Sequence, residues 1–470
     1  MPPRVLVLGG GPAGCGAAWR LAARGNARVT LLEQSGAVGG HAGSFLFAGQ
    51  RVDYGSHRLH PACDPAVLAD LRSLLGDDLR RRARHGRIRL RGRWLHFPLR
   101  PLDLLLRLDR AFALGALVDM LRRRRGPDAA SGSSASFASV LLAQLGPTIC
   151  HSFYFPYARK IWGLEPTEID AEQARRRVSA RTFRALFARL ARPSSRGVFF
   201  YPRLGYGQIC EALAAAARDR AADLRLGRRV VSLRAPRDAA EPWVAEATGE
   251  GGPTERVEAE LVFSTLPLTR VAAMIDPAPP AAILRAADAL TYRSLLLVYL
   301  ALPVDRFTPF DAHYFPEREF TISRLSEPKN YSGEREPAGS TVLCAEIPCR
   351  PEDPLWSLED RELAAVVVAD LERAGLAPPA AVAEATCRRL RHAYPVYRVG
   401  FAAPLAELDA WLSALPRFVS YGRQGLYAHD NAHHALVEAY RAADCVDHGG
   451  FDAARWLSHR QEFASHVVED

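Results

Sequence analysis

Lysine is almost missing from this chain: of 61 basic residues only Lys160 and Lys329 are lysine, and the rest are arginine. A bias of that size reads as default surface charge from a GC-rich genome, so the net charge of +9 is not by itself a sign of nucleic-acid binding. The two lysines are then exceptions, places where a compact ammonium is kept instead of a planar guanidinium. Closely spaced cysteine pairs are missing too. The eight cysteines, at 15, 63, 150, 210, 344, 349, 387 and 445, include no C-x-x-C. That speaks against a zinc ribbon or a disulfide frame and for reduced core residues in a cytoplasmic protein. No secretory signal is visible, because the chain enters an apolar strand almost at once. An uncharged apolar run is also lacking. Leu102–Leu121 is broken by Asp103, Arg107, Asp109, Arg110 and Asp119, which leaves an amphipathic helix expected to face the core. With Arg122–Arg125 after it, peripheral membrane contact is the less favoured reading. Leu79–Arg93 is dense in arginine but poor in stacking aromatics. From Arg87 it alternates charged and mostly apolar residues, as a hairpin with one solvated face does, and no nucleic-acid partner is expected.

What is present begins at Val5. Val5–Leu8 reads as a buried parallel strand, and Gly9, Gly11 and Gly14 then form G-x-G-x-x-G where a helix begins, at about Pro12–Arg24. Gly9 serves the tight turn, Gly11 the approach of backbone to a pyrophosphate, and Gly14 close helix–sheet packing. Pro12 suits the first helical turn, whose free N–H groups and dipole favour an anion. A second strand, Val29–Leu32, ends in Glu33, placed to accept ribose hydroxyls. Gly39-Gly40 adds a second place for backbone against phosphate, which a nicotinamide site does not need, so FAD is the expected cofactor.

The stretch Val52–His60 carries His57 and His60, but no third ligand or helical H-E-x-x-H accompanies them, and no metal is expected. An aromatic, helical segment follows at His151–Gly163, then a polar helix at Glu165–Arg184 in which Arg177 and Arg181 share a face. Short β-segments at Arg229–Leu233, Trp243–Ala247, Val257–Glu260 and Leu261–Pro267 return the chain to the dinucleotide fold. Tyr292–Leu302 and Cys344–Ile347 read as a second sheet region covered by a helix at Leu363–Ala374. Near the end, Phe418–Tyr421 is a strand, Gly422–Gly425 a turn and Asn431–Cys445 a helix whose N-terminus faces the cofactor. The fold class is α/β, a Rossmann-type FAD-binding domain with a parallel sheet and an inserted α+β substrate domain. The FAD-binding domain is expected at 1–78, 197–290 and 405–458, and the substrate or cap domain at 79–196 and 291–404.

This layout resembles the flavoproteins of the amine oxidase and protoporphyrinogen oxidase superfamily, and within it the UDP-galactopyranose mutase-like branch. The stretches that carry the resemblance are Tyr54–His60, Tyr157–Gly163, Arg177–Arg181, Ser323–Ser332, Tyr394–Val396 and Gly422–Tyr427. The resemblance implies that Arg181, Arg324 and Tyr427 hold a substrate diphosphate. It further implies that His57 lies beside flavin N5, that Arg423 lies near the FAD pyrophosphate, and that Val231 and Gly422 join the cofactor site. Guanidinium forks suit phosphate oxygens, and a leaving diphosphate needs its growing charge stabilised. One departure stands out: Ala428 and His433 replace a basic and an acidic residue of the mutase pattern.

The implied function is a redox-neutral ring isomerisation of a sugar nucleotide or similar diphosphate-bearing sugar, with reduced flavin N5 as nucleophile and an external reductant as an added partner. Net oxidation by FAD, as in oxidases and desaturases, is the alternative. A non-catalytic flavin-binding partner protein ranks last, because nothing in Gly9–Gly40 looks damaged.

Overall fold

In the computed structural model, residues 2–97, 103, 107–122, 135–177, 197–238 and 240–468 are described. The first strand, Arg4–Leu8, lies at the centre of a five-stranded sheet. On one side it pairs in parallel with Arg28–Leu32, then Asp223–Arg225; on the other with Leu261–Ser264, then Phe418–Ser420. Val5, Leu6, Val7 and Leu8 are all buried, as a parallel strand covered on both faces requires. The helix Pro12–Arg24 follows, ended by Gly25 in the left-handed region, and buries Ala13, Cys15, Ala17, Ala18 and Leu21 against the sheet and its neighbours. Three segments far apart in sequence are thus drawn to one sheet edge, where strand ends meet helix starts. In such sheets, ligands bind at the carboxyl ends of the strands.

A four-stranded sheet of Arg229–Arg234, Trp243–Thr248, Glu255–Ala259 and Ile275–Asp276 packs beside it through Trp243, Leu233 and Val262. A seven-stranded sheet lies over the cavity. Its order is Glu384–Pro395, Tyr292–Leu302, Thr341–Cys349, Arg324–Ser326, Ala312–Tyr314, Gly86–Leu90 and Arg93–Phe97. Its second strand Tyr292–Leu302 is apolar on both faces, with the helix Asp360–Arg373 covering one side through Leu363, Val367 and Leu371. This is the mixed α/β architecture expected, a Rossmann-type parallel sheet with added α+β structure.

Two expectations are modified and one lies outside the described residues. The hairpin Gly86–Leu90/Arg93–Phe97 forms with Ile88, Leu90 and Leu95 buried and Arg91 and Arg93 exposed, as alternation expects, but Arg87 and Arg89 are half-buried. Arg87 lies between Trp94 and Phe310, at 4.2 and 4.5 Å from the ring centroids, and burial pulls its pKa down to about 10. The aromatic partner Phe310 comes from over two hundred residues away, which local alternation cannot foretell. The described helix after Leu102 is Arg110–Arg122; it buries Phe112 but leaves Leu114, Leu117 and Leu121 exposed. Of the polar helix after Glu165, Ala171–Arg177 is described, and Arg181 lies outside the described residues.

All eight cysteines are free and buried. Both lysines are enclosed. Lys160 Nζ donates to the carbonyls of Phe315, Glu317 and Ile322 at 2.6, 2.5 and 3.1 Å. Lys329 Nζ reaches those of Asp305, Pro337 and Ser340. A tripod of carbonyl oxygens fits an ammonium's three N–H groups and not a planar fork, which is why lysine persists here. Among the described residues no helix is long and apolar enough to cross a membrane.

Candidate active site and cofactor cradle

The glycine turn and the Gly39-Gly40 turn are built against each other. Gly39 donates its N–H to Gly10 O at 2.7 Å, so two loops present backbone side by side above the first helix. Gly39 sits at φ +123°, and a Cβ there would come within 2.4 Å of Gly43 Cα. At Gly14 the need is space: a Cβ would lie 1.8 Å from Gly9 O. Glu33 ends the second strand at 7% exposure, its Oε2 accepting Gly10 N–H at 2.6 Å and its Oε1 Ser35 N–H at 2.7 Å. The carboxylate is fixed by backbone while its edge still faces the cavity.

That cavity is about 2670 Å³. A single small-ligand pocket is roughly 300–1,000 Å³, so there is room for a dinucleotide and a second sizeable molecule. Gly9, Gly11, Glu33 and Gly40 line it together with His57, Gly422 and Arg423. The lining also holds an aromatic arm of Phe97, Phe153, Tyr154, Tyr157 and Trp162. Among the described residues the lining holds ten arginines against four carboxylates, a field that favours an anion. The cradle's close-packed glycines, the ribose-facing carboxylate and the helix N-terminus fit a flavin dinucleotide.

His57 stacks on Tyr206 at 5.2 Å, and its Nε2–H donates to Tyr54 O at 3.0 Å. Nδ1 therefore carries the lone pair. Burial lowers the His57 pKa, so the ring is neutral at pH 7. His41, also on the cavity wall, is pulled to about 4 by burial and then by Arg423. Arg423 donates to Asp430 O and Ala393 O at 3.4 and 3.1 Å and lies over Tyr394.

Arg324 occupies the middle of a row of side chains running across the seven-stranded sheet. Register places Ile88 opposite Tyr314, Tyr314 opposite Arg324, and Arg324 opposite Glu346, and all four line the cavity. Nε and Nη2 of Arg324 each donate to Glu346 at 2.8 Å, and Nη1 makes no hydrogen bond among the described residues. Burial disfavours the guanidinium charge, but Glu346 and its neighbours raise the pKa well above the ordinary value. Glu346 Oε1 also accepts Ser56 N–H at 3.0 Å, tying the His57 loop to the same carboxylate. Arg58 reaches the row from the loop side: Nη1 donates to Tyr314 Oη at 3.4 Å and Nη2 to Asp311 at 3.1 Å.

The chain matches the flavin containing amine oxidoreductase family over residues 12–447. It belongs to that family. Its cofactor is FAD, as the cradle's geometry requires. No curated protein matches this flavoprotein in sequence. Among solved structures it is similar to a reduced UDP-galactopyranose mutase, with TM-score 0.79 and 21% identity, covering 100% of this chain and 99% of that one. It is similar to a protein from Exiguobacterium sp. 255-15 described as a protoporphyrinogen oxidase, with TM-score 0.73 and 20% identity over 94% and 98% of the two chains. A putrescine oxidase bound to putrescine has TM-score 0.64 and 18% identity over 94% and 98%. These likenesses establish the fold.

Two sequence-derived site residues of the flavoprotein are not where the pattern put them. Tyr427 is fully buried and off the cavity. Its hydroxyl donates to Thr291 O at 2.6 Å and accepts Val396 N–H at 3.2 Å, so it braces the turn after Gly425. Val231 is 43% exposed and Val230 lines the cavity instead, because the register shifts between Val230 and Ser232 and turns Val231 outward. Three residues were missed. Arg58 stood inside the Tyr54–His60 stretch and needed only to be weighed beside His57. Tyr314 and Glu346 become neighbours of Arg324 through sheet register, which no local pattern carries. His433, the departure from the mutase pattern, is buried and lies behind Asn431 and Ala432, which line the cavity; burial holds its pKa near 3.

Proposed function

We propose that the protein catalyses a flavin-dependent, redox-neutral rearrangement of a sugar nucleotide or similar diphosphate-bearing sugar. The observation that carries this is Arg324, on the cavity wall with Nη1 left over after Glu346 has taken its other two donors. Arg324, Arg58 and Tyr314 hold the diphosphate in this reading, with Arg181 as a fourth contact. FAD sits in the unit built from 1–78, 197–290 and 405–458, and the substrate under 79–196 and 291–404. Reduced flavin supplies a nucleophile at N5 when bound. The chain supplies the rest. Guanidinium and phenol donors stabilise the charge that grows as the diphosphate leaves. Neutral His57 stands on a loop fixed through Ser56 to Glu346, so its Nδ1 can accept a proton without first losing one. The aromatic arm takes the base or the sugar face.

A second reading is net oxidation of a C–H or C–N bond. The aromatic arm supports it, since flat rings also suit an apolar substrate. The test is incubation of anaerobically reduced protein with a panel of nucleotide sugars, followed by product analysis. An isomer of equal mass, formed while the flavin stays reduced, supports the first reading. Activity of oxidised protein alone, with bleaching by substrate, overturns it for the second.

A further inference from the structure

Behind the cavity wall, imidazoles and carboxyls from two chain segments converge. Asp430 precedes the helix Ala432–Asp444, His434 lies in its first turn and Glu438 one turn on, while His466 arrives from the C-terminal segment. Ligand atoms of Asp430, His434 and His466 all lie within 4.8 Å of one another. We propose that Asp430, His434 and His466, with Glu438 as fourth donor, form a site for a divalent transition-metal ion of the Zn²⁺ class, which clasps the C-terminal segment to this helix. The inference does not depend on the reaction catalysed.

The spacing carries the first part of the argument. His466 Nδ1 is 3.3 Å and His434 Nδ1 3.6 Å from the same Oδ1 of Asp430, and His466 Nδ1 is 3.7 Å from Glu438 Oε1. Bonds of about 2.0–2.2 Å to a tetrahedral ion give ligand-to-ligand edges of roughly 3.3–3.6 Å. Two of the three separations fall within that range and the third, to Glu438, is 0.1 Å longer.

Hydrogen-bond accounting carries the second. His434 Nδ1 accepts Asn431 N–H at 3.2 Å, so it holds a lone pair and no proton. That lone pair caps the helix and lies 3.6 Å from Asp430 Oδ1, so an ion bound there displaces the Asn431 N–H. Glu438 is 0% exposed; Oε2 accepts Gly422 N–H at 2.6 Å, while Oε1 has no donor among the described residues. Asp430 and Glu438 are hydrogen-bonded to each other in the interior, where burial and the Asp430 carboxylate hold the Glu438 carboxyl well above the usual carboxyl range, and a buried acidic pair of this kind is tolerated when it shares a proton or binds a metal. A divalent ion neutralises both carboxylates. It takes the place of the proton that Glu438 shares with Asp430, which is released to solvent, while His466 carries its own ring proton on Nε2 and binds through Nδ1.

The two rings are stacked, 4.3 Å apart at 16°. An ion shared by both must lie in the plane of each, so loading turns one ring about its Cβ–Cγ bond. His466, on a segment without regular structure, is the one free to turn. Its neighbours Val467 and Val468 line the cavity beside Asn431 and Ala432, so the clasp holds a part of the cavity wall shut.

The experiment uses the flavin-loaded full chain, stripped with chelator and then titrated with Zn²⁺ alone or Co²⁺ alone. After desalting, the expected result is one Zn²⁺ per chain by elemental analysis, and for Co²⁺ the intense visible bands of tetrahedral coordination. His466→Ala and Asp430→Asn lower Zn²⁺ affinity at least tenfold with flavin content unchanged, and His448→Ala at an exposed position has no effect. His466→Ala guards against misfolding, since its side chain lies outside every helix and strand. Wild-type protein that keeps no ion after desalting, or the two site variants binding like wild type, overturns the proposal.

Discussion

Arg324 and Glu346 are direct cross-strand partners, joined by two hydrogen bonds of 2.8 Å on the face of the sheet that walls the cavity. The pair is nearly buried, so removing either partner strands the other. Glu346→Ala and Arg324→Ala each cost about 3–5 kcal/mol. The double variant costs less than their sum by about 1 kcal/mol or more. Chemical unfolding at fixed FAD concentration measures the cycle; strict additivity would show that the pair is not coupled.

Tyrosine assignments separate cleanly. Tyr427→Phe loses a hydroxyl between Thr291 O and Val396 N, so melting falls by an amount equivalent to about 1–3 kcal/mol while KM is unchanged. Tyr314→Phe does the reverse, raising KM for the proposed diphosphate-bearing substrate with little effect on melting. Steady-state kinetics with thermal melts on both variants decides between them.

Gly14→Ala places a methyl 1.8 Å from Gly9 O, and the turn must shift. The variant is expected to purify with little flavin, read as the ratio of visible flavin absorbance to protein absorbance. Full flavin content would mean that the turn does not hold the cofactor.

The lysine tripods make a chemical prediction. Lys329→Arg cannot match three carbonyls set for an ammonium and leaves one or two unpaired, at about 1–3 kcal/mol each. Urea unfolding should show that loss, whereas exposed Arg361→Lys stays within about 0.5 kcal/mol of wild type.

Acid sensitivity follows from His313, which is 1% exposed and held at about 3 by burial and then by Arg87. Its folded pKa lies below the unfolded value near 6.5, so the unfolded chain takes up the proton first. The stability it contributes is complete above pH 6.5 and is lost as pH falls from there toward 3, at about 1.4 kcal/mol per unit. Unfolding free energies at pH 7.5 and 5.5 measure the slope, and His313→Phe reduces it by one group's share while His41 and His433 keep theirs.

The cofactor end of the molecule was legible because its causes are local. Gly9, Gly14 and Glu33 are required by contacts within forty residues, and the helix Pro12–Arg24 and its strands follow from periodicity alone. Arg324 and His57 were found through longer stretches, and both do line the cavity. Tyr427 misled because sequence places a residue along the chain, not on one side of it. A single turn after Gly425, with Tyr427 at φ +52°, takes its ring into the core. Tyr314 and Glu346 were invisible for the opposite reason: strand register made them Arg324's neighbours. The solvated face expected of the Arg87–Arg93 hairpin holds at Arg91 and Arg93 and is lost at Arg87, which Phe310 covers from a remote loop.

Since both lysine amines spend their N–H groups on backbone carbonyls inside the fold, the native surface offers no side-chain amine to acylating reagents. Amine-directed dyes, crosslinkers and activated resins would leave the folded molecule's side chains untouched and modify Lys160 or Lys329 only when the short helices that carry them open. A mass increase at either position under mild acylation then serves as a clock for local opening, with no engineered probe.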